Sequence, residues 1–207
     1  MIRSPLLEFD WLAHGFGTRD STPPSDLTTV RQIHSAQVLD ACGRRGEQIG
    51  EGDALVSAEP DVAIGIRTAD CVPILFADPE TRVIACAHAG WRGTAANIAA
   101  ATVARMEALG CDPKNIVAAI GPSIGPCCYE VSAETAFHFD RWRTATDGEE
   151  RPHLDLPAIN EAQLVEAGIY RIWKSGECTY CRADRYFSFR REKEQAGRML
   201  TFVNRLA

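Results

Sequence analysis

Two apolar runs, Val72-Pro73-Ile74-Leu75-Phe76-Ala77 and Val83-Ile84-Ala85-Cys86-Ala87, carry the residues best suited to chemistry: Asp70 and Cys71 before the first, His88 after the second. Both runs read as buried strands, and Asp78-Pro79-Glu80-Thr81 reads as the turn between them. Paired antiparallel, they bring the residue before the first strand and the residue after the second to one edge of the sheet, so that Cys71 and His88 meet. A thiolate beside an imidazole is either a nucleophilic dyad or half of a zinc site.

Other elements must position this hairpin. Trp11-Leu12-Ala13-His14-Gly15-Phe16-Gly17-Thr18-Arg19 reads as a short strand running into a polar, Pro-containing loop at 20–28, expected to rim the site. Val30-Arg31-Gln32-Ile33-His34 alternates apolar and polar residues and continues through Ser35-Ala36-Gln37-Val38-Leu39 as a strand or a strand with a bulge. On a period of two, Val30, Gln32 and His34 share a face, which lets His34 point out of the sheet. Residues 43–52, rich in Gly and charge, read as an exposed connection, and Asp53-Ala54-Leu55-Val56-Ser57 and Val62-Ala63-Ile64-Gly65-Ile66 as two strands around Glu59-Pro60-Asp61.

From Thr94 the pattern changes to an Ala-rich helix over 95–109, with Ile98, Thr102, Met106 and Leu109 as its buried stripe and Gly110 closing it. Its start, Gly90-Trp91-Arg92-Gly93, offers backbone N–H groups and an Arg next to His88, a setting suited to an anion. A strand over 115–120 leads to a loop with two Gly-Pro steps. Helical spacing recurs at 132–139 and 157–167, with a polar, mobile connection expected between them at about 141–152. Arg171-Ile172-Trp173 and Leu200-Thr201-Phe202-Val203 read as further strands, the last closing the sheet. These elements predict an α/β fold, a single-domain layered sandwich over 1–207 with a mainly antiparallel or mixed sheet and helices packed on it. A Rossmann arrangement is excluded, because Gly-x-Gly-x-x-Gly is absent and no strand-helix-strand alternation opens the chain.

With 207 residues and 45% hydrophobic content the chain can bury one sizeable core, and its formal charge of −6 argues against a nucleic-acid or anionic-lipid surface. No apolar stretch is long enough for a signal peptide or a membrane span, which predicts a soluble cytoplasmic protein. Most of the eight Cys are then expected to be reduced, and Cys86 to be a core residue. Cys178-Thr179-Tyr180-Cys181 has zinc-knuckle spacing but no second pair at a suitable distance, and Cys127 and Cys128 are adjacent. Core packing or redox sensitivity is the reading for both. The oligomeric state is not legible.

Six motifs occur in a telling order: Arg31-Gln32-Ile33-His34, Gly52-Asp53-Ala54-Leu55, Thr68-Ala69-Asp70-Cys71-Val72-Pro73, His88-Ala89-Gly90-Trp91-Arg92-Gly93, Gly121-Pro122-Ser123-Ile124 and Cys178-Thr179-Tyr180-Cys181. In this the chain resembles the YfiH family, also called the laccase-domain or DUF152 family. Its older name is polyphenol oxidase, and its members are described as zinc-dependent purine nucleoside phosphorylases with adenosine deaminase and methylthioadenosine phosphorylase activities. The resemblance runs over about 14–199. It departs between Arg19 and Arg31, where this chain is shorter, and that predicts a more open site with weak discrimination among purine nucleosides.

The resemblance implies zinc held by His34, Cys71 and His88, a set whose three ligands leave an open position. Copper suits the chain less, since five His in all provide no paired motifs for several copper ions. Cys71, His88, His34 and Asp70 are then the expected catalytic set, with Asp70 or Asp53 moving protons. Arg31, Arg67 and Arg92 would orient phosphate beside a nucleoside, with Asp53 also near substrate; Arg67 and Arg92 read equally as salt-bridge partners. Two rivals remain open. Cys71 with His88 as its base would make an amidase or deamidase acting on a cell-wall precursor peptide, and zinc that only staples the fold would make a binding module.

Overall fold

The computed structural model describes residues 1–142 and 152–207, so most of the connection expected at 141–152 lies outside the described residues. Strands β1 (Leu12–Gly15), β2 (Thr29–Arg31), β3 (Val38–Asp40), β4 (Gln48–Glu51), β5 (Ala54–Ser57), β6 (Ala63–Thr68), β7 (Val72–Ala77) and β8 (Ile84–Ala89) come first. Then follow α1 (Trp91–Ala95), α2 (Ile98–Glu107), β9 (Val117–Ile120), α3 (Ala133–Phe137), α4 (Leu156–Glu166), β10 (Arg171–Lys174), α5 (Phe189–Glu192) and β11 (Met199–Arg205).

Six strands form a mixed sheet in the order β10-β9-β7-β8-β5-β3, with β10 parallel to β9, β3 parallel to β5, and antiparallel pairs between. The expected hairpin is its centre, Val72 lying opposite Ala89 and Ala77 opposite Ile84. Both faces of the hairpin are covered, which is why its strands read as unbroken apolar runs. Val72, Ile74, Phe76, Ala85 and Ala87 pack with Ile98, Val103, Met106 and Leu164 of the helical layer. Leu75, Ala77, Ile84 and Cys86 instead face Ile64, Ile66 and Val203. Burial pushes the Cys86 thiol pKa well up, as befits a core residue.

The layer carrying Ile64 and Val203 is a separate antiparallel sheet, β1-β11-β6, which corrects the reading of Leu200 to Val203 as a strand closing the main sheet. Strands β5 and β6, successive in sequence, fall in different sheets. A further correction concerns 43–52, where Gln48–Glu51 is not a bare connection but pairs in parallel with β2 across a register shift.

The Ala-rich run is two helices rather than one. Asn97, in the left-handed region at φ 62°, separates α1 from α2. At the break, buried Gln163 Nε2 of α4 donates to the Thr94 carbonyl (2.8 Å), which also accepts the Asn97 N–H (3.0 Å) and is the acceptor that the Ile98 N–H would use in a continuous helix. Asn160 Nδ2 donates to Thr94 Oγ1 (3.0 Å), and together the two amides fix α1 beside the hairpin's open end. Ile98, Thr102 and Met106 are buried as expected, and Leu109 half-buried. Among the described residues no helix is long and apolar enough to cross a membrane.

Candidate metal centre

Cys71 stands just before β7, and His88 lies opposite Pro73 on β8. His34 joins them: the ligand atoms of His34, Cys71 and His88 all lie within 4.8 Å of one another. The two imidazoles meet edge to face with ring centroids 5.0 Å apart. His88 is buried, Cys71 half-buried and His34 exposed, so the group opens to solvent on one side. Gly90 makes room for it, since a Cβ there would stand 3.0 Å from both Cys71 Sγ and His34 Cδ2.

His34 does not arrive by strand alternation, because β2 stops at Arg31 and His34 takes a left-handed backbone at φ 60°. That conformation costs a non-glycine residue about 1 to 2 kcal/mol. Asp53 offsets the cost. Its fully buried carboxylate accepts from the N–H groups of Ile33 (3.2 Å), His34 (3.0 Å) and Ser35 (2.6 Å) and from Ser35 Oγ (2.8 Å), charge-assisted bonds that shape the turn around it. Asp53 Oδ1 is also 2.8 Å from His88 Nδ1, and a proton on Nδ1 leaves the Nε2 lone pair directed at the group. Asp53 thus braces the backbone at His34 and the ring of His88.

Asp70 is likewise an anchor. Its carboxylate accepts from Thr179 Oγ1 (2.6 Å), Ser188 Oγ (3.0 Å) and the Arg190 N–H (2.6 Å), and its backbone sits at φ 90°. With both oxygens accepting hydrogen bonds, Asp70 ties the segment around 179–190 to the residue before Cys71.

Charge and burial set the protonation states. Burial by itself would raise the Cys71 thiol, but the neighbouring His88 charge and hydrogen bonds with His34 and His88 outweigh it and bring the pKa down to about 6. For His88, burial is outweighed by the Cys71 charge and the Asp53 bond, and its pKa rises to about 9, so without metal the ring carries both protons and the Nε2 lone pair is freed only when a metal displaces the Nε2 proton. Asp53 is held down to about 2, its burial outweighed by bonds from His88 and Ser35. A thiolate and two imidazoles are a donor set that fits zinc.

The open side of the group faces a cleft of about 670 Å³, within the range of small-molecule sites. Arg31, Arg67 and Arg92 all line it, as do Arg190, Lys193 and Arg198, which sequence reasoning missed. Asp70 is the one acid in the lining among the described residues, so a chain with a formal charge of −6 presents a cationic cleft. Arg31 is paired with Glu51, whereas Arg67, Arg92 and Lys193 have no ion-pair partner among the described residues. Arg92 stacks over Trp91, with 4.3 Å from its guanidinium carbon to the ring centre. Tyr129 and Phe189 add aromatic faces, and the signal that could have found this wall is the alternation Phe187-Ser188-Phe189-Arg190-Arg191. The loop at 20–28 is absent from the lining. Leu27 packs instead on Ala63 and Phe202, which corrects its reading as a rim.

Residues 16–205 match the family model described as multi-copper polyphenol oxidoreductase laccase. The chain belongs to this laccase family. A purine nucleoside phosphorylase of Deinococcus radiodurans is 44% identical over 183 residues, covering 86% of this chain and 70% of that protein. An adenosine deaminase from an unknown prokaryotic organism is 38% identical over 199 residues, covering 87% of this chain and 75% of its own length. The crystal structure of YlmD from Geobacillus stearothermophilus superposes with a TM-score of 0.88 at 28% identity, covering 99% of this chain and 94% of that one. The family named from the sequence motifs is thus the family found, and the layered α/β fold is shared with its solved members.

Proposed function

We propose that this chain works as one catalytic domain, a zinc-dependent purine nucleoside phosphorylase. The observation that carries the reading is the His34, Cys71 and His88 group standing open at the floor of a cationic cleft in an acidic chain. Relatives named purine nucleoside phosphorylase support it. When bound by these three residues, zinc supplies a Lewis acid with an open coordination position, able to polarise an oxygen or lower the pKa of water.

The chain's own residues supply the rest. Arg67, Arg92 and Lys193, without ion-pair partners among the described residues, hold phosphate against the ribose, where an oxygen attacks C1′ as the bond to the purine breaks. Tyr129 and Phe189 offer flat surfaces to the base. Asp53 keeps His88 in the tautomer with Nε2 free, and Asp70 keeps the Arg190 wall in place. Adenosine, inosine and guanosine are the proposed substrates, with methylthioadenosine admitted by the open cleft.

Hydrolytic deamination of adenosine is a second reading, supported by the relative named adenosine deaminase and by the open side of the three-residue group. A Cys71 nucleophile acting on an amide is favoured by the lowered Cys71 pKa, and opposed by His34, which that scheme does not need. A copper oxidase has least support: of the five His, only His34 and His88 belong to a metal-capable group among the described residues. Chromatography of adenosine, inosine and guanosine reactions run with and without phosphate separates phosphorolysis from deamination. Free base formed only with phosphate is expected; inosine from adenosine without phosphate, and no free base, would replace phosphorolysis with deamination.

A further inference from the structure

Outside the cleft, the structure gathers four of the eight Cys that the sequence keeps apart. Cys127 and Cys128 follow the second Gly-Pro step, Cys178 and Cys181 lie about fifty residues on, and all four Sγ atoms fall within 4.8 Å of one another. The objection to a metal at Cys178 and Cys181, the lack of a second pair, is therefore removed by the fold. We propose that Cys127, Cys128, Cys178 and Cys181 form a second metal site, a tetrathiolate that takes one zinc ion and clamps the wall of the cleft.

Three observations carry this. First, four ligands at the usual Zn–S distance of about 2.3 Å in a tetrahedron are about 3.8 Å apart, and Cys181 Sγ lies 3.7 Å from Cys127 Sγ and 3.4 Å from Cys128 Sγ. A disulfide needs about 2.05 Å and engages sulfurs in pairs, whereas here Cys181 faces two partners at once. A cluster of several irons, with sulfide between them, would hold the four sulfurs farther apart than this.

Second, the backbone is already set for the ligands. Gly125 N–H donates to Cys178 Sγ (3.2 Å), the kind of outer bond that steadies a metal thiolate. The two segments are tied by Thr179 N–H to the Ser123 carbonyl (3.0 Å) and Ser123 N–H to the Glu177 carbonyl (3.3 Å). Arg191 Nη1 holds the Thr179 (2.9 Å) and Tyr180 (2.6 Å) carbonyls from the other side. Third, Cys127 and Cys181 are exposed, so an ion has a path in from solvent.

The position gives the site its role. Thr179, between the two later cysteines, donates to Asp70 next to Cys71, and Ile124 and Tyr129, on either side of the earlier pair, line the cleft. One ion here would fix both segments relative to the His34, Cys71 and His88 group without touching substrate. Binding breaks S–H bonds and forms metal–sulfur bonds, with the thiol protons released to solvent, so no oxidant or reductant is involved.

The test uses the full chain, purified with a thiol reductant, loaded with excess zinc and desalted. Native mass spectrometry of the His34→Ala/Cys71→Ala double variant, which lacks the first group, should show one zinc per chain, and adding Cys181→Ser should remove it. Cobalt(II) in place of zinc should give the strong near-ultraviolet sulfur-to-metal absorption of four thiolates in the double variant. In zinc-loaded wild type, iodoacetamide should label Cys127, Cys128, Cys178 and Cys181 only after a chelator is added. A metal-free double variant would overturn the proposal, as would rapid labelling of the four Cys in zinc-loaded wild type or a disulfide among them under reducing conditions. The labelling arm needs no variant, so poor folding of a mutant leaves the proposal open to refutation.

Discussion

Asp53→Asn is the most informative single change, because five donors converge on the two oxygens of one buried carboxylate. Ile33 N–H, Ser35 N–H and Ser35 Oγ reach Oδ2, while His34 N–H and His88 Nδ1 reach Oδ1. An amide nitrogen on the Oδ2 side would leave two backbone N–H groups unpaired; on the Oδ1 side it would leave one, that of His34. The second placement costs less, about 1 to 3 kcal/mol for one buried donor without an acceptor. It also presents an N–H to His88 Nδ1, which must then accept, so the imidazole proton moves to Nε2, the nitrogen needed for metal. The expected result is a stability loss of about 2 kcal/mol with zinc affinity down by at least roughly 10- to 100-fold, the usual effect of losing an outer partner. Urea unfolding gives the first quantity, and competition against a chromogenic chelator the second. A folded Asp53→Asn protein with wild-type zinc affinity would refute this view of Asp53.

Gly90→Ala places a Cβ 3.0 Å from Cys71 Sγ and His34 Cδ2, so we expect weakened zinc binding and an overpacking cost of about 1 to 3 kcal/mol, read from the same titration and unfolding curves. Arg67→Met and Arg92→Met should each raise the KM for phosphate more than that for nucleoside; equal effects on both would count against a phosphate role. Buried His14 has its pKa lowered from 6.5 to about 4 by burial and the nearby Arg3 charge, and its Nε2 accepts the Ser4 N–H (2.9 Å). The unfolded chain therefore binds the proton more readily. The His14 contribution is fully present above about pH 6.5 and is lost as pH falls toward 4, amounting to about 2 kcal/mol between pH 6.5 and 5. His14→Gln should flatten that slope in urea unfolding measured across the same range.

The central hairpin was legible because two-sided burial writes itself into sequence as unbroken apolar runs, and the Cys71 and His88 meeting follows from antiparallel pairing alone. The turn at His34 was not legible, since it is imposed by a carboxylate that lies distant in sequence, Asp53, overriding the alternation of residues 30–34. For the same reason Asp53 and Asp70 looked like free acids: a one-dimensional pattern shows their charge but not the donors that occupy them. The break in the Ala-rich helix falls at Asn97, in the left-handed region, with no Gly or Pro to announce it, and the Arg190, Lys193 and Arg198 wall depends on the fold of the far end of the chain. The four-cysteine group shows the limit most clearly, because its two pairs become neighbours only through the loop pairing at Ser123 and Cys178.

The central claim is that His34, Cys71 and His88 act together through a bound metal, and it is tested most directly by His34→Ala, with zinc content and phosphate-dependent base release measured on the same preparation. His34→Ala should lose one zinc per chain relative to wild type and lose activity with it, and chelation of the wild type should do the same, because each residue is one of three ligands. A His34→Ala protein that lacks this zinc and still releases base at the wild-type rate would contradict it.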